Sequence, residues 1–377
     1  MLLTKNASGK KKNASGKKKN ASSKKKNASS KSERIKDTDM KRILISLAAA
    51  VIALSAGAQG KRMAVVGTST CYMRLQPDYE SALETQELMG TVVEIVGEKG
   101  YWREIESPQP YRAWTTEKTL VEMTPEQIKE YEEAPKYIFT AQHGHVYTTP
   151  TKSNPDIICD LVGGDVMRVA PKIKGSASPS GKHGKWVQVI LPSGRKGWVP
   201  KENVRLLGER TDIRMGDSAE GLISPEQMEA VIRAAYSLQG VPYLWGGMSS
   251  KGVDCSGLVR ICFLMNDILL PRNATQQVKC GKEIEVPRKD TEGVTEAQVK
   301  EAYNAEKARE AIKNLGRGDL VFFGNTETKG ITHVGIYLGN GEMIHASHLV
   351  RVNSLIPGEE NYYENAHRII RACRLWY

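Results

Sequence analysis

Cys255 stands in a sequence setting that suits a nucleophile. Asp254, directly before it, is a natural helix N-cap, and Leu258, Val259 and Cys262 follow at helical spacing. This pattern predicts that Cys255 lies in the first turn of a helix. Unpaired backbone N–H groups and the positive end of the helix dipole lower a thiol's pKa there, so we expect thiolate at neutral pH. Cys262, two turns further on, lacks this setting and is expected to be inert.

Two histidines further along the chain are candidates for the base and its orienting group. His333 and His345 lie in β-type runs on either side of Gly339-Asn340-Gly341, a sequence typical of a hairpin turn. If these three residues form the loop, Gly335 faces His345, and His333 lies one diagonal step away on the same face. A shift of one residue would put the histidines on opposite faces, so the register is part of the hypothesis.

The chemistry expected of these groups is acyl transfer to sulfur. Cys255 attacks a carbonyl carbon, while His333 takes the thiol proton and later returns one to the leaving amine. His345 orients His333 and favours its charged form. Backbone N–H groups at the helix start, with the Tyr243 hydroxyl, would stabilise the oxyanion. Taken singly, each of these residues is equally compatible with a structural role.

Two stretches ahead of this region repeat one β-rich pattern. Trp102 is followed by a second tryptophan 12 residues on, and so is Trp186. Short apolar runs with Gly and Pro turns surround both pairs, which predicts small all-β barrels at residues 62–125 and 135–207. Residues 208–223 are expected to be a linker.

The last region, residues 222–377, opens with a well-marked helix start. Ser224 is a suitable N-cap, Pro225 suits the first helical position, and Gln227 stands three residues after the cap. The predicted helix has an apolar stripe formed by Met228, Val231, Ile232, Ala235 and Leu238. A long insert, residues 283–315, contains a helix-like stretch from Glu296 to Asn314, and its role is left open.

The order of the motifs points to a family. Asp254-Cys255-Ser256-Gly257 is followed by Gly318–Phe323, by Thr332–Leu338 and by Ile344–Ser347. This series resembles the NlpC-type cell-wall cysteine peptidases, a compact relative of the papain fold. The two β-rich stretches resemble tandem bacterial SH3-like domains. The resemblance implies two all-β SH3-like barrels followed by an α+β papain-like peptidase domain.

Residue roles follow from the resemblance. It makes Cys255, His333 and His345 the catalytic triad. Family members with two SH3-like modules are γ-D-glutamyl-L-diamino-acid endopeptidases acting on wall peptides with a free N-terminal L-Ala. There the first module walls off the site; Glu84 would pair with the substrate ammonium and Tyr111 would line the pocket. Further substrate-contacting positions are Trp245, Asp254, Ser256 and Asn273. At position 273, relatives often carry Asp followed by Ser.

The net charge of +11 is concentrated at the N-terminus. Residues 1–39 hold 12 Lys, one Arg and three acids in a basic low-complexity repeat, whereas the chain from Gln59 onward sums to −1. We interpret residues 1–39 as a solvated tail or a start assigned too early, and less readily as a nucleic-acid-binding arm. Residues 40–58 have a basic start, a short apolar run and a small-x-small site, which predicts a secretory signal from Met40.

The expected protein is therefore periplasmic or secreted, with no stable membrane anchor, and acts on muropeptides as a monomer. Neither a cofactor nor nucleic acid is expected, and His143 and His145 lack a third ligand for a metal site. Export permits disulfides among the six cysteines, but their spacing fixes no connectivity. The alternatives are an N-acetylmuramoyl-L-alanine amidase with the same nucleophile, and a non-catalytic peptidoglycan-binding protein.

Overall fold

The computed structural model describes residues 61–151, 153, 156–171, 184–218, 221–287, 293–325 and 330–377. The predicted basic tail and signal segment, residues 1–58, lie outside these ranges. The chain from Lys61 to Tyr377 forms one compact unit. Within the described ranges, no helix has both the length and the apolar character needed to cross a bilayer.

In the described residues, the first β-rich stretch forms one antiparallel sheet. Its strands are β1 (Arg62–Val66), β2 (Thr70–Arg74), β3 (Leu83–Leu88), β4 (Val92–Lys99), β5 (Trp102–Ser107), β6 (Tyr111–Thr116) and β7 (Leu120–Met123). They lie in the order β3-β2-β6-β5-β4-β1-β7. Alternate side chains fill a small core that includes Val66, Met73 and Ile105.

The second stretch repeats this arrangement. Its strands are β8 (Lys136–Phe139), β9 (His143–Tyr147), β10 (Ile157–Val162), β11 (Val166–Val169), β12 (Trp186–Ile190), β13 (Lys196–Pro200) and β14 (Val204–Leu206). Their order, β10-β9-β13-β12-β11-β8-β14, is that of the first sheet with every number raised by seven. Trp102 and Trp186 open equivalent strands, so the predicted structural repeat is confirmed.

The two sheets, hereafter modules 1 and 2, are connected by a helix and also by direct hydrogen bonds. Helix α1 (Pro125–Glu133) connects them. The buried carboxylate of Asp165 accepts hydrogen bonds from the Met89 N–H at 3.1 Å and from the Val162 N–H at 2.8 Å. One side chain of module 2 thereby holds backbone from both modules, because a buried carboxylate requires such donors.

The third region combines helices with a mixed set of strands. Its helices are α2 (Pro225–Ser237), α3 (Cys255–Leu264), α4 (Ala274–Gln277), α5 (Glu296–Ala302) and α6 (Ala305–Ile312). The short strands are β15 (Thr211–Asp212), β16 (Met248–Ser249), β17 (Gly252–Val253) and β18 (Ile268–Leu269). A larger sheet contains β19 (Lys282–Ile284), β20 (Leu320–Gly324), β21 (Ile331–Gly339), β22 (Glu342–Ser347), β23 (Leu349–Ser354) and β24 (Ile369–Arg374). Its order in the described chain is β19-β24-β20-β21-β22-β23.

Helix α2 begins as predicted. The Ser224 hydroxyl accepts from the Gln227 N–H at 3.2 Å, and the Gln227 side chain accepts from the Ser224 N–H at 2.8 Å. This reciprocal pair satisfies two otherwise unpaired donors. The predicted apolar stripe is buried, with every member between 0% and 2% exposed.

The hairpin of β21 and β22 has the predicted register in its body and a different tip. Ile336 pairs with Ile344, which is the alignment that puts Gly335 opposite His345. The register then shifts, so that Gly339 pairs with Glu342 and the loop is only Asn340-Gly341. Both loop residues have positive φ, 53° and 86°, the geometry of a two-residue turn that matches strand twist. The predicted three-residue loop is therefore wrong.

Two other expectations change in detail. The predicted linker contains β15, which pairs in parallel with β18 and so packs on the third region. The predicted helix from Glu296 to Asn314 divides into α5 and α6. The break occurs because the Asn304 side chain accepts from the Lys307 N–H at 3.0 Å and starts a new helix.

Candidate active site

Cys255 is the first residue of α3, as predicted. The Asp254 carboxylate accepts from the Gly257 N–H at 2.7 Å and caps the helix. Cys255 is 9% exposed, and the backbone N–H of Val334 donates to its sulfur. Because Val334 follows His333 directly, this contact sets the thiol beside the strand that carries the predicted base.

A close backbone approach supports this position. A Cβ added to Gly257 would lie 2.0 Å from the carbonyl oxygen of Gly247. No larger residue fits there unless the helix moves away from the loop. The first turn of α3 therefore rests directly on the chain between Trp245 and Gly247.

The two histidines meet on one face of the sheet. The Nε2 atom of His333 lies 2.7 Å from the Nδ1 atom of His345, and the rings meet edge to face at 81°. Gly335 leaves room at this point, because a Cβ there would make a tight 3.2 Å contact with the Cβ of His345. The pairing follows from the hairpin register predicted from the sequence.

Two further residues complete this face and were missed by sequence reasoning. The Oδ1 atom of Asn353 lies 2.9 Å from His345 Nε2. Tyr363 packs against both imidazole rings, at centroid distances of 5.8 Å from His333 and 4.7 Å from His345. The sequence did contain a signal for Asn353, because polar residues alternate with valines in β23. Since Arg351 pairs with His345, Asn353, two residues further on, lies on the same face of the sheet as His345.

Tyr243 borders the same space. With His333, it lines an open pocket of about 450 Å³ whose other walls are Ala346, Ser347 and His348. Burial raises the pKa of Tyr243 to about 12, and nearby Cys255 adds to this. The hydroxyl is therefore protonated at neutral pH and able to donate a hydrogen bond.

Asp254 and Ser256 belong to a buried network around Arg272. The Arg272 guanidinium donates to both Asp254 carboxylate oxygens, at 3.1 and 2.6 Å, and to Ser256 Oγ at 2.9 Å. Its Nε donates to Thr85 Oγ1 of module 1 at 2.6 Å. The network positions the start of α3 against module 1. A substrate contact by Asp254 or Ser256 stays a prediction.

Strand β3 of module 1 forms the neighbouring wall. Gln86 Oε1 accepts from the Met248 N–H at 2.8 Å. The Glu87 carboxylate lies 3.3 Å from Arg260 Nη1, with both side chains at most 2% exposed. Such a buried ion pair depends on both partners, since losing one leaves an uncompensated charge. Module 1 is thus fixed against the helix that carries Cys255.

The remaining predicted substrate residues gather at the outer end of this wall. The Tyr111 hydroxyl donates to Glu84 Oε2 at 2.8 Å, and the Asn273 side chain also hydrogen-bonds to Tyr111. Gly246 abuts the backbone of Glu84, and Trp245, just before it, is 68% exposed. Residues from two distant parts of the chain therefore meet here, while their roles stay predictions.

Comparison with known proteins identifies the third region. Residues 240–371 match the NlpC/P60 family. The chain carries an NlpC/P60 domain. A relative named Gamma-D-glutamyl-L-lysine dipeptidyl-peptidase from Bacillus cereus is 26% identical over 284 residues, covering 73% of this chain and 70% of that protein. One of the same name from Bacillus subtilis is 26% identical over 308 residues, covering 78% and 82%.

The fold is shared over most of the chain as well. A solved NlpC/P60 family protein from Bacillus cereus aligns with a TM-score of 0.59 at 20% identity, covering 84% of this chain and 100% of that one. The alignment extends beyond the NlpC/P60 domain into the β-rich modules. By its domain and its relatives, the chain is a cysteine peptidase.

The electrostatics of the NlpC/P60 domain differ from the sequence prediction. Burial, aided by the charge of Asp254, raises the pKa of Cys255 to about 11. Burial and the neighbouring His345 lower the pKa of His333 to about 3. The N–H groups of Val334 and Ser256 lower the thiol pKa as expected, but burial outweighs them. Both pKa shifts run against the predicted resting thiolate and against the expected support of a charged His333, and they favour a neutral pair in the substrate-free site.

This neutral pair predicts the pH dependence of Cys255 alkylation. Below its pKa, the thiolate fraction rises tenfold per pH unit, so the iodoacetamide rate should climb steadily from pH 6 to 9. A preformed ion pair would instead give a plateau across that interval. The rate is measured on the Cys255 peptide by mass spectrometry. A flat profile near neutral pH would contradict the neutral resting state.

Neither disulfides nor metal clusters occur among the described residues. All six cysteines are among the described residues and none forms a disulfide there. In the same described ranges, no cluster of three His, Cys, Asp or Glu side chains is placed to hold a metal ion. His143 is near Ser250, with 3.3 Å between Nδ1 and the hydroxyl oxygen.

Proposed function

We propose that the chain is an exported endopeptidase of peptidoglycan stem peptides. In this proposal it hydrolyses the bond between γ-D-Glu and the L-diamino acid in peptides with a free N-terminal L-Ala. The observation that carries the proposal is the position of Glu84 on module 1. Its backbone abuts Gly246, in the loop that supports the Cys255 helix, and its carboxylate accepts from the Tyr111 hydroxyl. A carboxylate at this place suits a substrate that ends in an ammonium group.

The relatives support this substrate. Two are named for the γ-D-glutamyl-L-lysine bond, and their alignments extend well beyond the NlpC/P60 domain. A Bacillus subtilis protein that is 40% identical over 121 residues is named a bifunctional muramidase/DL-endopeptidase. The common strand order supports a duplicated module, which we take as SH3-like barrels at residues 62–125 and 135–207. The NlpC/P60 match supports a papain-like domain at residues 222–377. Export rests on the signal-like sequence of residues 40–58.

Substrate binding begins at module 1. The L-Ala ammonium donates to the Glu84 carboxylate, which already accepts from the Tyr111 hydroxyl. In this proposal Asn273 and Trp245 border the dipeptide. Specificity for a free amine follows, because an N-blocked peptide offers no charge to Glu84 and brings extra bulk.

Acylation uses the sulfur and the first histidine. His333 Nδ1 takes the thiol proton as the Cys255 sulfur attacks the γ-carbonyl carbon of D-Glu. The Tyr243 hydroxyl and backbone N–H groups at the start of α3 donate to the oxyanion. The C–N bond then breaks, and His333 gives its proton to the departing amine of the diamino acid. A thioester on Cys255 remains.

Deacylation reverses the proton path with water as nucleophile. His333 takes a proton from water, the resulting hydroxide attacks the thioester carbon, and the C–S bond breaks. The sulfur regains a proton from His333, and L-Ala-D-Glu leaves. A neutral Cys255 thiol and a neutral His333 suit this cycle, because each proton transfer accompanies the making or breaking of a bond to the substrate carbonyl carbon.

Mass spectrometry of defined peptides tests the proposal. At least one of L-Ala-γ-D-Glu-L-Lys and its diaminopimelate counterpart should be split after D-Glu. The same peptide linked to N-acetylmuramic acid should stay intact. Release of the sugar from the linked peptide would identify an amidase instead, and binding with no product from any peptide would favour a wall-binding protein.

A further inference from the structure

We propose that Asn353 is a positioning residue that fixes which nitrogen of each active-site histidine carries its proton. The inference rests on the proposed roles of Cys255 and His333. It concerns a residue of β23 whose hydrogen bonds, among the described residues, go to His345 and to the backbone of Asn361. Its carboxamide instead ends a hydrogen-bonded chain that leads through His345 to His333.

The orientation of the Asn353 amide is set by its second partner. Asn353 Nδ2 lies 2.5 Å from the backbone carbonyl oxygen of Asn361. A carbonyl oxygen only accepts hydrogen bonds, so the NH₂ group must point toward it. The carbonyl end of the amide, Oδ1, therefore faces His345 Nε2 at 2.9 Å.

This orientation determines both tautomers. Because Oδ1 only accepts, His345 Nε2 must carry a proton. His345 is neutral, since burial lowers its pKa to about 4, so its Nδ1 has a lone pair and accepts from His333. His333 Nε2 then carries the proton of that 2.7 Å contact. The Nδ1 atom of His333 is left with the lone pair needed to take a proton from sulfur.

The opposite tautomers would disable the base. If His345 carried its proton on Nδ1, its Nε2 lone pair would face the Asn353 oxygen, and His333 would have to accept at Nε2. A neutral His333 would then hold its proton on Nδ1 and could not receive another from the thiol. His345 is 0% exposed and Asn353 is 6% exposed, so bulk water is poorly placed to replace the amide.

Nuclear magnetic resonance of ¹⁵N-histidine-labelled protein tests the proposal without substrate. In the wild type we expect His345 to be protonated at Nε2 and His333 at Nε2. Asn353→Leu, similar in size but without an acceptor, should give mixed tautomers. Asn353→Asp keeps an acceptor oxygen and should retain the wild-type pattern better than the leucine variant does. Wild-type His345 protonated at Nδ1 would overturn the proposal whatever the variants do.

Kinetics give the second readout. For Asn353→Leu we expect kcat to fall by roughly 10²- to 10⁴-fold with little change in KM, the upper end matching a catalytic histidine held in the wrong tautomer. Asn353→Asp should recover part of this loss. Ser354 is the next residue, is also buried, and takes no part in the hydrogen bonds that link Asn353, His345 and His333. Ser354→Ala should therefore leave kcat and KM unchanged. Equal kcat in wild type and Asn353→Leu, with the latter folded, would contradict the role.

The two readouts separate this inference from the proposed function. If the tautomers are as expected but no stem peptide is cleaved, the proposed function fails and the positioning role of Asn353 stands. If cleavage occurs and the wild-type tautomers are reversed, the function stands and this inference fails.

Discussion

Cys255→Ala is expected to abolish hydrolysis of L-Ala-γ-D-Glu-diamino-acid peptides while leaving the fold and substrate affinity in place. The sulfur is the protein atom that the proposed mechanism bonds to the substrate carbon, and alanine removes it from a nearly buried position without adding bulk. Loss of a covalent nucleophile costs roughly 10⁶-fold in kcat in a well-studied hydrolase. We expect a loss of that order, measured by chromatography of the released amino acid.

Cys262→Ala is the matched control for this variant. Cys262 lies in the same helix, is fully buried, and burial raises its pKa. Its removal should cost about 1 kcal/mol of stability but leave hydrolysis intact. Calorimetric binding of the peptide to Cys255→Ala verifies that the site is still formed. Comparable turnover by wild type and Cys255→Ala would refute the assigned nucleophile.

Glu84→Gln is expected to raise KM for peptides with a free N-terminal amine far more than for N-acetylated ones. The variant keeps an oxygen to accept from Tyr111 but loses the charge that pairs with the ammonium. A hydrogen bond to a charged group contributes about 1.5–3 kcal/mol, which corresponds to roughly 10- to 100-fold in kcat/KM. Steady-state kinetics on the matched pair of peptides measure the difference.

Glu94→Gln provides the control for charge on module 1. Glu94 lies on β4 and pairs with Lys61, with no contact to the loop beside Cys255 among the interactions described above. Glu94→Gln should leave KM unchanged for both the free and the acetylated peptide. If Glu84→Gln changed the free and acetylated peptides by the same factor, Glu84 would have no role in binding the amine.

The parts of the site that depend on local sequence could be predicted. The start of α3 at Asp254 and the buried stripe of α2 follow from caps and helical spacing, which act within a few residues. The shared face of His333 and His345 follows from strand alternation, once the hairpin register is set. Only the hairpin tip differed, because Asn340-Gly341 suits a two-residue turn.

The parts that depend on distant packing could not be predicted. Arg272 contacts Thr85, which is 187 residues away, and no spacing rule connects them. The pKa of Cys255 depends on how deeply the fold buries the thiol, which outweighs the helix terminus. The sequence shows Asn353 only as a polar residue in an alternating strand. Its contact with His345 depends on the pairing of β22 with β23, which the sequence did not predict.

Nucleophile partitioning tests the covalent step most directly. Turnover of L-Ala-γ-D-Glu-diamino-acid peptide in the presence of hydroxylamine should yield the γ-hydroxamate of L-Ala-D-Glu alongside the free acid, in a ratio that rises with hydroxylamine concentration. That outcome requires an acyl intermediate, and its absence from Cys255→Ala would tie the intermediate to this residue. Release of the diamino acid with only the free acid at every hydroxylamine concentration would contradict a thioester on Cys255.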